Sequence, residues 1–199
     1  SGIVMLLFNQ ILLSLSGNVG VAAYGIIANL ALIVVSIFTG VAQGIQPIVS
    51  RSFGSGQMRH VKQIFHYGVI TAAAFGLLFL GIGWFFSQPI VGIFNQENNL
   101  EMERLASQGL PLYFLAFPMM GVNILASSYL ASLSKGGPAF VLSVLRGAAA
   151  VIPAVLLLSR LFGITGVWLA VPCAEALTFL VFLAMLPFCF RRPQKGAGA

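Results

Sequence analysis

Two ionisable residues stand inside long apolar runs of this sequence, Arg146 and Glu175. A charge at the centre of a bilayer costs at least about 2.5–3.5 kcal/mol, so such a residue has a partner or a task. Arg146 lies seven residues past Ala139, and Glu175 lies thirteen residues before Phe188. At 1.5 Å per helical residue they sit roughly 10 Å and 20 Å from one membrane face, a gap of about 10 Å. A long arginine can bridge that gap to a glutamate on an antiparallel neighbour. Two readings follow. The pair is a buried lock between helices, or Glu175 is a carboxylate that answers to protons or cations and Arg146 tunes it.

Polar side chains in the apolar runs pose a similar choice. Asn29, Gln43 and Gln46 share a run with Gly40, Gly44 and Pro47. Gln43 and Gln46 are three residues apart and therefore share a helix face. They read equally as amide glue between helices or as the lining of a cavity. Asn123, with Ser127 and Ser128, allows the same two readings. His60 and His66 stand near Arg59 and Lys62 and read as solvated interface residues. Cys173 and Cys189 lie in an apolar run without metal-type spacing, so they read as free thiols and no metal site is expected. The sequence holds no Ser/His/Asp set, no glycine-rich phosphate loop opening a helix and no pair of intramembrane carboxylates, which argues against an enzyme.

The elements that position these residues are membrane-spanning helices. Of 199 residues, 59% are apolar and 7% charged, with a mean hydropathy of +1.00. Soluble domains carry about 25% charged residues. Six apolar runs are legible, at residues 3–15, 19–49, 64–86, 105–133, 139–158 and 164–188. A span needs about 20 residues, so the first reads as truncated. Ser16-Gly17-Asn18 reads as a turn, and 95–103 as an acidic loop. Kinks are expected at Gly44 and Pro47, at Pro111 and Pro118, and at Pro153. The fold class is therefore all-α, a polytopic bundle of six transmembrane helices over residues 1–190. A basic, then Gly/Ala-rich tail over 191–199 is expected to be disordered. Because Ser1 opens within a hydrophobic run, the chain reads as a fragment.

Loop charges set the orientation. The side reached after the second, fourth and sixth helices holds Arg51, Arg59, Lys62, Lys135, Arg191, Arg192 and Lys195, against only Arg104 and Arg160 opposite. Basic residues mark the cytoplasmic side, so the C-terminus is expected there. The expected location is the plasma membrane, the inner membrane of a bacterium. The net charge of +6 resides in these loops and does not point to nucleic acid.

Residues 20–27 and 40–56, with Gly40-Val41-Ala42-Gln43-Gly44-Ile45-Gln46-Pro47 at their centre, resemble the eighth helix of the multidrug and toxic compound extrusion (MATE) family. The stretch from Arg146 through Ile152-Pro153, Phe162-Gly163-Ile164-Thr165-Gly166-Val167-Trp168 and Pro172 to Glu175 resembles the family's last two helices. The resemblance implies one lobe of a two-lobe, twelve-helix transporter, helices seven to twelve. It also implies a missing N-terminal lobe as partner, surrounding membrane lipids and small, often cationic organic substrates. No cofactor is implied, and a sodium ion or proton would be the coupling ion. The lobes would rock about a central cavity. Glu175 is the only intramembrane carboxylate in this sequence. The alternatives are a lipid-precursor flippase of the related superfamily, which would carry more cavity charges, and a structural membrane protein with no transport cycle.

Overall fold

The computed structural model describes residues 2–95 and 98–189, except for the side chains of 187–189. The expected tail therefore lies outside the described residues, as do Arg191, Arg192, Lys195, Glu97 and the side chain of Cys189. The described residues fold into helices α1 (Gly2–Gly54), α2 (Met58–Phe85), α3 (Ser87–Phe94), α4 (Leu100–Phe114), α5 (Phe117–Ser132), α6 (Gly136–Val144), α7 (Val151–Phe162) and α8 (Ile164–Cys189). A single wide turn, Leu145–Ala149, joins α6 to α7.

Helix α1 holds the first two expected runs. Its backbone leaves helical geometry at Ser16 (φ −144°, ψ 16°) and Gly17 (φ 60°, ψ −155°). The Gly17 conformation is essentially open to glycine alone. Phe8 and Tyr24 would be about 24 Å apart on a straight helix. Their rings instead stack at 5.2 Å, so the chain doubles back at this turn. The same device recurs between α7 and α8, where Gly163 has φ 58°. Gly166 then lies so close to the Leu158 carbonyl that a side chain could not fit.

All six expected runs are helical. Among the described residues four helical stretches, α1, α2, α6 through α7, and α8, are long and apolar enough to cross a membrane, or five when α4 and α5 count as one bent span. The α4–α5 bend is 47°. Pro118 follows it and has no N–H to donate to the Phe114 carbonyl, which explains a break at this place. Pro47 behaves differently, since the backbone stays helical through Gly44 and Pro47 to Gly54. The acidic loop is shorter than expected. Asn99 Oδ1 accepts the N–H groups of Glu101 and Met102 at 3.1 and 3.0 Å, so α4 begins at Leu100. Glu101 and Glu103 thus lie in its first turn, where the helix dipole favours acids.

Helix α5 runs through the middle of the bundle, packed against α1, α2, α6 and α8. Glycines let the neighbours approach. A methyl group at Gly76 would sit 2.5 Å from the Pro118 backbone, and one at Gly121 would sit 2.7 Å from the Phe38 ring. Phe38, Phe79 and Phe117 fill the space between α1, α2 and α5, with ring centroids 6.4 Å apart. This apolar packing fixes α5, and with it the one polar residue that α5 buries completely, Asn123.

Candidate functional site

Glu175 projects from α8 into the bundle and is 2% exposed. Two elements grip its carboxylate. On one side, Asn123 Nδ2 donates to Glu175 Oε2 at 2.7 Å and to the Glu175 backbone carbonyl at 2.9 Å. On the other, Arg146 Nη2 reaches Oε1 at 3.4 Å. The expected bridge between Arg146 and Glu175 is therefore present, and Asn123 completes it. In apolar surroundings such a charge is tolerated only when paired and hydrogen-bonded. The grip is not saturated. Asn123 Oδ1 and Arg146 Nε are buried and find no partner among the described residues.

Local sequence explains the arrangement. Helix α5 is apolar nearly all round, as a helix enclosed by others must be, and so Asn123 faces protein instead of lipid. On α8, Ala174, Glu175 and Thr178 are buried while Cys173 and Leu177 are exposed. Thr178 Oγ1 satisfies itself by donating to the Ala174 carbonyl at 2.8 Å. Arg146 occupies the wide turn, in which the Ala150 N–H donates to the Leu145 carbonyl five residues back at 2.9 Å. One helical turn away from the ion pair, the Ser127 and Ser143 hydroxyls lie 3.1 Å apart, tying α5 to α6.

Arg146 and Glu175 form part of the wall of a cavity of about 480 Å³. Phe8, Tyr24, Asn29, Tyr113, Met120 and Ser143 also line it. The cavity thus combines aromatic and thioether surface with a single carboxylate and a single guanidinium, a chemistry suited to a flat organic ion. Of the residues singled out by sequence, Arg146, Glu175, Asn29 and Asn123 belong to this site, the last through its hydrogen bonds. Gln43 and Gln46 do not: both are exposed and neither lines the cavity. His60 is exposed on the α1–α2 side, its ring Nδ1 2.8 Å from Gln57 Oε1. Among the described residues no three His, Cys, Asp or Glu side chains converge as metal ligands would. Tyr24 and Tyr113 escaped the sequence reading. Their only signal was a phenol in an apolar helix, which packing explains as readily.

The MatE family model matches residues 3–156. The chain belongs to the MATE family. It is 27% identical over 190 residues to the multidrug export protein MepA of Staphylococcus aureus, covering 94% of this chain and 40% of that relative. Its fold matches the bent form of the Vibrio cholerae MATE transporter VcmN with a TM-score of 0.85 at 18% identity, over 94% of this chain and 42% of that one. A MOP superfamily transporter from Pyrococcus furiosus, whose binding pocket is described as reversed in polarity and suggestive of a different function, matches with a TM-score of 0.84 at 14% identity, over 96% and 44%. The chain therefore spans about 40% of the length of the MATE relatives it matches. MATE proteins are transporters, not enzymes. The chain is one lobe of the MATE fold, a multi-pass membrane protein.

Proposed function

We propose that this chain is the C-terminal lobe of a multidrug exporter and that Glu175 exchanges a proton for an organic cation. The observation that carries this reading is a nearly buried carboxylate, held by Arg146 and Asn123, in the wall of an aromatic-lined cavity. An N-terminal lobe would complete the transporter. The end of α1 with Arg51, the start of α2 with Arg59 and Lys62, and the turn with Lys135 would face the cytoplasm.

Exchange requires the two ligands to exclude each other. In the structure Arg146 is the internal cation of Glu175. A proton that adds to the carboxylate removes its charge and loosens the hold on Arg146. The new O–H needs an acceptor, and Asn123 Oδ1, buried and without a partner among the described residues, belongs to the amide that already contacts this carboxyl group. An organic cation resting on Phe8, Tyr24 and Tyr113 would instead take the place of Arg146 beside an unprotonated Glu175. Both ligands claim one carboxylate, which gives antiport. A sodium ion fits less well. It needs several oxygen ligands, and both Glu175 oxygens are already engaged by Arg146 and Asn123.

The competing reading is a lock that never opens. Glu175→Gln in the full-length transporter separates the two. Efflux of a cationic dye from proteoliposomes should lose its dependence on the pH gradient. A variant with unchanged gradient dependence would leave only the lock.

A further inference from the structure

Arg146 reaches Glu175 from an irregular piece of helix, and the sequence explains the irregularity. An α-helix passing through Pro153 must forgo one hydrogen bond, and the ring crowds the carbonyl four residues back, that of Ala149. The chain meets this demand by widening the turn immediately before, where Ala150 bonds to Leu145 and not to Arg146. One extra residue is thereby accommodated. Regular α geometry would advance the helix by about 100° per residue, so removing the wide turn would rotate Arg146 relative to α7. Short wide turns of this type recur at functional sites.

Packing shows which parts such a change would move. None of the five residues Leu145–Ala149 is buried, and a methyl group at Gly147 would meet nothing within 4 Å. Helix α7 is closely packed on α8, which carries Glu175, whereas α6 is packed on α5, which carries Asn123. The wide turn is the covalent joint between these two pairs, which also meet where α5 packs on α8.

We infer that Pro153 is a positioning residue: through the wide turn at 145–149 it sets whether the Arg146 guanidinium reaches Glu175. This rests on the reading of Glu175 as the exchanging carboxylate. The groups facing Glu175 are Arg146 from the wide turn and the uncharged Asn123 from α5, with Tyr24 of α1 and Tyr113 of α4 in the same cavity wall. Arg146 is the only cation among them.

The test uses the full-length transporter in lipid and follows the infrared band of a protonated carboxyl as pH is varied. Glu175 is assigned by the band lost in Glu175→Gln. Arg146→Gln should move its titration midpoint by at least about one pH unit, the effect of removing a contacting opposite charge. Pro153→Ala, and separately deletion of Ala148, should move it in the same sense by at least half as much. Midpoints unchanged in both of these, with Arg146→Gln shifted, would overturn the inference and leave the role of Glu175 intact. If Glu175→Gln removes no titrating band, the underlying reading falls as well. Should the deletion fail to fold, Pro153→Ala still decides. Pro153 is exposed, so alanine there chiefly restores a backbone donor.

Discussion

Two sets of intramembrane polar residues meet different fates in this lobe. Asn123, Arg146 and Glu175, from three separate elements, converge on one carboxylate beside a cavity. Gln43 and Gln46 share a face of a single helix, yet both stay exposed. The spacing of Gln43 and Gln46 established that they point the same way, but not what lies opposite. The teaching is that neighbourhood on one helix is weak evidence for a site, whereas a charge that must be neutralised compels a partner from elsewhere.

This contrast predicts a graded series of effects on unfolding in detergent. Glu175→Leu, which leaves the partly buried Arg146 without its anion, should cost most, about 3 kcal/mol. Adding Arg146→Leu should recover most of that loss, because the stranded charge is then gone. Asn123→Leu should cost about 1 kcal/mol, the scale of an interhelical hydrogen bond in a membrane protein. The Gln43→Leu, Gln46→Leu double variant should change stability by less than about 0.5 kcal/mol, as for other exposed positions. A loss above about 1 kcal/mol in that last variant, measured on the full-length protein, would break the contrast by showing that the face is covered there.

Much of the fold was legible because membrane spans announce themselves by length and apolarity. The two ends of the ion pair were legible for a related reason, since charge is so rare inside the spans that Arg146 and Glu175 had few alternatives. Asn123 was singled out, but its partner was not, because an amide accepts many neighbours and packing of α5 chooses among them. The turn at Ser16–Gly17 followed from glycine and polar residues between apolar runs. The wide turn at 145–149 did not, because Pro153 announces a disturbance without saying whether the helix bends, breaks or widens. Pro47, Pro118 and Pro153 show three outcomes of one residue type: continued helix, a 47° bend and a wide turn. The sequence places 95–103 in a loop, whereas the Asn99 side chain caps α4 and starts it at Leu100.

If a proton and an organic cation compete for Glu175, binding of one must expel the other. The most direct measurement adds a cationic dye to the purified full-length transporter in weakly buffered detergent solution and follows the pH. Competition predicts proton release on dye binding over some range of pH, and binding without release in Glu175→Gln. Release of the same size from Glu175→Gln, or dye binding without release from the unaltered protein at every pH, would contradict it.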